Sequence, residues 1–103
     1  MSARRGECPV LFEWDENKRR LVLERHGIDF EDAIQIFAGP VWETLSPRTG
    51  EQRWLAIGVV GGIEIAVVYT LRKGCRRIIT AIRAGTHERR EYQAHVARGS
   101  NPP

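Results

Sequence analysis

VVGGIEIAVVYTLRKGCRRIITAIR, Val59 to Arg83, holds two glycine-bearing pairs, Gly61-Gly62 and Lys73-Gly74, each set between runs dominated by β-branched residues. A two-residue hairpin needs positive φ at its central positions, and glycine adopts it at no steric cost. The pattern predicts three successive antiparallel strands: Gln52 to Val60, the run IEIAVVYTLR, and RRIITAIR from Arg76 to Arg83. Upstream, Val41 to Leu45 reads as one more strand, joined to the first of these through SPRTG, Ser46 to Gly50.

Before Pro40 the period is 3.6 rather than 2. Val10 to Trp14 reads as a short strand. Asp15 then caps a helix containing Leu21 and Leu23 and stopped by Gly27. Asp29 caps a second helix, in which Phe30, Ala33, Ile34 and Phe37 recur at i, i+3, i+4, i+7 and Ile28 staples against Ala33. Gly39-Pro40 ends it. At the other end of the chain Thr86 is the expected N-cap of a helix from Thr86 to Ala97, with Glu88 in its first turn. The order β-α-α-β-β-β-β-α predicts an α+β fold, a mostly antiparallel sheet with two N-terminal helices and one C-terminal helix. Its 103 residues fit one domain, 1–103, with a core of about 11–97 and frayed ends.

Hydrophobic residues at 42% against 28% charged describe a soluble globular chain, and no apolar run approaches the ~18 residues of a membrane span. The basic start, Met1 to Gly6, lacks the apolar core of a signal peptide, which places the protein in the cytoplasm. Cys8 and Cys75 stand in no Cys-x-x-Cys and beside no histidine, so they read as free thiols, with no metal and no cofactor implied. Charge is unevenly spread. From Arg72 onward eight basic residues face two acids, whereas from Glu13 to Asp32 seven acids face four bases. A positive C-terminal third points to an anionic partner such as RNA or DNA. His26, before the helix-ending Gly27, reads as a helix-terminal residue that complements the dipole, not as a catalyst.

Several blocks then align in order: FEWDENK (Phe12 to Lys18), ERHGIDFEDAIQIF (Glu24 to Phe37), Glu51-x-Arg53-x-x-x-Ile57-Gly58, VVYT (Val67 to Thr70) followed by Arg72, RIITA (Arg77 to Ala81), and Glu88 with Tyr92. Together they resemble the BrnT family of toxins over roughly residues 11–93. The resemblance implies a RelE-like fold and a ribonuclease activity that inhibits translation. It also implies a BrnA-type ribbon-helix-helix antitoxin that neutralises the toxin and represses their operon, so that operator DNA is met only through the antitoxin. Two positions depart from the family pattern. Ile82, in the run Thr80 to Ala84, stands where the first of two adjacent cations is usual, and Val22 stands where an asparagine is usual.

Metal-independent RNA cleavage requires a base for the ribose 2′-hydroxyl, cations for the phosphate and a proton for the leaving 5′-oxygen. The cations expected to act on the phosphate are Arg53, Arg72 and Arg83, on adjacent predicted strands. Glu51 is the candidate base or arginine orienter, and Tyr69 or His87 the candidate proton carrier. Lys18, carried by the family pattern, and Lys73, Arg76, Arg77, Arg89 and Arg90 are the expected RNA-binding residues. The antitoxin is expected to form a 2:2 heterotetramer with the toxin, as ribbon-helix-helix dimers carry two copies of whatever they bind. The alternative, drawn from Ile82, is a degenerate toxin that binds nucleic acid or antitoxin as an operon corepressor without cutting RNA.

Overall fold

The computed structural model describes residues 12–46 and 52–98. The elements in chain order are β1 (Phe12–Trp14), α1 (Glu16–His26), α2 (Phe30–Ala33) continued by a 3₁₀ helix (Ile34–Ala38), β2 (Trp42–Leu45), β3 (Trp54–Val60), β4 (Ile63–Arg72), β5 (Cys75–Arg83) and α3 (Thr86–Ala97). The strands form one five-stranded sheet in the order β1-β5-β4-β3-β2. β1 lies parallel to β5 and every other pair is antiparallel. This is the expected α+β order, the RelE-like arrangement of the family resemblance.

Both tight turns form as their glycines require. Gly61 and Gly62 have φ of 58° and 83°, Lys73 and Gly74 of 50° and 84°, the paired positive values of a type I′ hairpin. β4 coincides residue for residue with the run IEIAVVYTLR. The cap of α1 is also as read: the Asp15 side chain accepts from the Asn17 N–H, and Gly27, at φ 72°, donates its N–H to the Leu23 carbonyl. His26 is exposed in that last turn.

Three expectations are corrected. The second helix keeps α geometry only to Ala33 and then tightens to 3₁₀. With three residues per turn, Ala33 and Ile36 line up on one face, so Ile36 is fully buried while Ile34 and Phe37 sit at the edge of the core. At α3 the N-cap is Gly85 rather than Thr86; having no side chain to cap with, it is served in return by Glu88, whose Oε1 accepts the Gly85 N–H at 3.1 Å. Cys75 is buried and disulfide-bonded instead of a free thiol; Cys8 lies outside the described residues, as do 47–50 of the expected loop and both chain ends.

The sheet is covered on both faces. Strand alternation sends Ile65, Val67 and Tyr69 of β4 to one face, against Val22 of α1, Phe30 and Ala33 of α2 and Ile36 of the 3₁₀ helix. Ala66 faces the other way and joins Ile57, Ala84 and Tyr92 of α3. Arg19 pins α1 to the start of α2 by a two-pronged pair with the Asp29 carboxylate, Nε to Oδ1 at 2.9 Å and Nη2 to Oδ2 at 3.1 Å. That guanidinium holds the Asp29 carboxyl below its usual range.

The 3₁₀ helix sits so low on β3 that a Cβ at Gly58 would stand 2.6 Å from Ile36 Cβ. Gly58→Ala must therefore push the 3₁₀ helix off the sheet, an overpacking cost of about 1–3 kcal/mol. Thermal melting should show a loss of several degrees for Gly58→Ala. It should show none for Gly39→Ala, where a Cβ meets nothing within 4 Å; equal melting temperatures for the two variants would mean that the close approach is not needed.

Candidate active site

Strand register decides which of the anticipated residues are neighbours. Arg72, the last residue of β4, pairs with Cys75, whereas Arg83, the last of β5, pairs with Ile65. Seven residues at about 3.3 Å each separate these two levels, so Arg72 and Arg83 start about 23 Å apart along the sheet. Arg53 precedes Trp54, which pairs with Tyr69, and the Thr70 hydroxyl donates to the Gln52 carbonyl at 2.8 Å, so Arg53 belongs to the Arg72 end. Alternation puts Arg53 on the Leu55 face, while Arg83 shares the face of its partner Ile65. Arg53 and Arg83 thus lie at different ends and on different faces. The expectation that they grip one phosphate does not hold.

The other anticipated residues divide the same way. Lys73 is in the β4–β5 turn, and Arg76 and Arg77 open β5 beside it, with Arg77 Nη1 3.4 Å from Glu13 Oε2 of β1. His87, Arg89 and Arg90 belong to α3, which follows Arg83. There Arg89 Nε donates to Glu64 Oε1 at 3.1 Å and Gln93 Nε2 donates to Glu64 Oε2 at 2.8 Å. A cleft of about 250 Å³ lies between Gly62, Ile63, Glu64, Arg83, Ala84 and Arg89. Lys18 is half-buried on α1, and Glu51 lies outside the described residues.

The densest chemistry is at the Arg72 end, on the face that carries the N-terminal helices. The Arg76 guanidinium lies 4.2 Å from the ring centre of Phe37, 5.2 Å from Tyr69 and 5.9 Å from Phe12. Phe37 itself meets Tyr69 edge-on at 5.7 Å and Phe12 at 5.6 Å. Arg76 Nε is buried with no hydrogen-bond partner, and among the described residues Arg76 has no ion pair. Rings supply about 0.5–2 kcal/mol to a cation held in this way, and the Arg76 guanidinium also bonds toward the Tyr69 hydroxyl, yet its Nε is left without an acceptor.

Tyr69 is 3% exposed. Its hydroxyl reaches across β3 to donate to Glu43 Oε2 on β2 at 2.8 Å. Burial pushes the phenol above its ordinary pKa, with the Arg76 guanidinium pulling the other way and Glu43 adding to the rise. At neutral pH the phenol is therefore protonated, a donor to the carboxylate. Glu43 was not among the residues expected from sequence, and no local signal marks it: it is one acid in a four-residue edge strand, and its partner is 26 positions away. Among the described residues no three metal-ligating side chains come together. No described helix is long and apolar enough to cross a membrane.

Comparison with known families gives one match: the model of the ribonuclease toxin BrnT, of type II toxin-antitoxin systems, covers residues 14–88. Comparison with individually curated proteins gives no match.

Proposed function

Because the chain belongs to the BrnT family, and is a ribonuclease toxin that a cognate BrnA-type antitoxin neutralises, we propose that it cuts RNA at the β4–β5 end of the sheet, without a metal, around Arg76. The observation that carries this reading is the Arg76 guanidinium, ring-stacked, with a buried Nε that has no acceptor and no ion pair among the described residues. It meets the need for positive charge where the phosphorane-like transition state becomes more anionic. Arg53, Arg72, Lys73 and Arg77 around the same end hold the neighbouring phosphates. Tyr69 keeps its hydroxyl on Glu43. Arg83, about 23 Å along the sheet from Arg72, and His87, Arg89 and Arg90 of α3 guide the rest of the strand, and Lys18 adds to this on α1.

On this reading the departure at Ile82 matters less than its place in the family pattern suggests. Ile82 pairs with Ala66, five residues or about 17 Å along β4 from Leu71, the partner of Arg76, so a missing cation there weakens the strand's path and leaves the chemistry at Arg76 in place. The non-catalytic corepressor is correspondingly disfavoured. The whole chain 1–103 acts as one toxin domain in the cytoplasm, where RNA cleavage stops translation.

The antitoxin masks the cationic end, covering Arg72 and Arg76, and as a two-fold ribbon-helix-helix dimer it carries two toxins in a 2:2 heterotetramer. Operator DNA is bound only through the antitoxin. Light scattering should give a monomer for the lone protein and the 2:2 mass on mixing; a stable homodimer of the lone chain would contradict this arrangement.

The catalytic reading is tested with purified protein and RNA in EDTA. Cleavage should persist and leave 2′,3′-cyclic phosphate ends. Arg76→Ala should slow it by about 10²–10³, the scale of losing one transition-state donor, whereas Arg83→Ala should slow it less than about tenfold. RNA left intact by folded protein, and growth unaffected on induced expression, would restore the corepressor reading; equal losses in the two variants would move the site.

A further inference from the structure

We propose that Glu43 is the general base of this ribonuclease and that Tyr69 is the residue that positions it. The inference rests on the reading of the β4–β5 end as the cleavage site and goes beyond it by naming the group that activates the nucleophile.

Three facts place Glu43 in that role. First, it is an exposed carboxylate on β2, at the edge of the sheet, opposite the small buried Ala56 of β3. The small Ala56 leaves room for the Glu43 side chain to reach diagonally past Trp54, the β3 partner of Tyr69. Second, the Tyr69 hydroxyl occupies one carboxylate oxygen, Oε2, at 2.8 Å. A carboxylate with one oxygen tied to a rigid buried donor keeps the other, Oε1, directed and free to accept a proton. Third, the same phenol is adjoined by the Arg76 guanidinium, 5.2 Å from the ring centre and acting on the same hydroxyl. Base and phosphate-binding cation therefore both adjoin one fixed side chain, Tyr69.

An ordinary structural role would need only the phenol satisfied, and any backbone carbonyl would do that. Here the acceptor is a charged group reached across an intervening strand, from a strand whose other outward residue on that face is the half-exposed Leu45.

The step balances with water as the only further participant. Glu43 Oε1 takes the proton of the 2′-hydroxyl while O2′ bonds to phosphorus. The Arg76 guanidinium donates to the phosphoryl oxygens as charge builds on them. The bond from phosphorus to O5′ then breaks, and the departing 5′-oxygen is protonated from water. The Glu43 carboxyl releases its proton to water and regains its starting state. The products are a 2′,3′-cyclic phosphate and a 5′-hydroxyl. Tyr69 keeps its proton throughout, in keeping with its burial.

The test uses the full chain and a short RNA substrate. Glu43→Gln keeps a carbonyl oxygen for Tyr69 but removes the base. Cleavage should fall by about 10²–10⁴, the usual yield of general-base catalysis, with melting temperature and RNA affinity within error of the parent. Added formate should restore part of the activity of Glu43→Ala, because a small carboxylate can enter the vacated space. Tyr69→Phe breaks the same hydrogen bond but keeps the carboxylate, so its loss should be smaller, within about tenfold, than that of Glu43→Gln. If Glu43→Gln cleaves within threefold of the parent while Arg76→Ala is inactive, the site stands and Glu43 is not its base. If Arg76→Ala is active as well, the site itself is elsewhere. If Tyr69→Phe loses as much as Glu43→Gln and formate restores nothing, the hydrogen bond alone accounts for the effect and the proposal fails.

Discussion

Arg76 holds a positive charge against Phe37, Tyr69 and Phe12 with no carboxylate at ion-pair distance among the described residues. Arg76 is half-buried, and the ring quadrupoles return about 0.5–2 kcal/mol of what its partial loss of water costs. The geometry persists because four elements impose it together: β1 brings Phe12, the 3₁₀ helix brings Phe37, β4 brings Tyr69 and β5 brings Arg76 itself. Each of these positions rests on another feature of the fold. Phe37 can lie over the sheet only because Gly58 lets Ile36 and the 3₁₀ helix approach β3. Phe12 is placed by the parallel pairing of β1 on β5, with Phe12 opposite Arg76. Tyr69 keeps the same face as Arg76 because the β4–β5 ladder slips by one residue between Val68 and Tyr69. On the proposed reading, this ring-held positive charge is what draws a phosphate to this end of the sheet.

How much of this could be read from the chain depends on the range of the interaction. Local rules served well: Gly61-Gly62 and Lys73-Gly74 turned where positive φ was needed, Asp15 and Asp29 capped their helices, and Gly27 ended the first. The core periodicity of the second helix was less faithful, because packing against β3 drew the chain from 3.6 to three residues per turn and brought Ile36 inward in place of Ile34 and Phe37. The α3 cap passed to Gly85 since Glu88 could serve its N–H directly.

The site was less legible than the fold for a geometric reason. Membership of adjacent strands says nothing about level along them, so Arg53, Arg72 and Arg83 looked like one cluster although Arg83 ends β5 at the far side of the sheet. Alternation was also misleading across β5, where the slip opposite Val68 and Tyr69 leaves Ile79 out of register, so that Arg76 and Arg83 share a face despite their odd spacing. Arg76 was visible only as one of many basic residues, since nothing in its neighbours along the chain shows that three rings from elsewhere surround it. Glu43 had no signal at all, its meaning lying in a bond to Tyr69 across two strand pairings. Family membership supplies the activity over residues 14–88, while the place proposed for it rests on the arrangement of side chains at one sheet end.

The most direct measurement is a crystal structure of the protein with a short RNA analogue carrying a 2′-deoxy sugar at the cleavage position, which lacks the nucleophile and stays intact. The account predicts a phosphate within hydrogen-bond distance of the Arg76 guanidinium, with the 2′ carbon of the preceding sugar facing Glu43. A phosphate seated instead in the cleft of Gly62, Glu64, Arg83 and Arg89, with Arg76 still enclosed by its rings and touching no nucleotide, would contradict it.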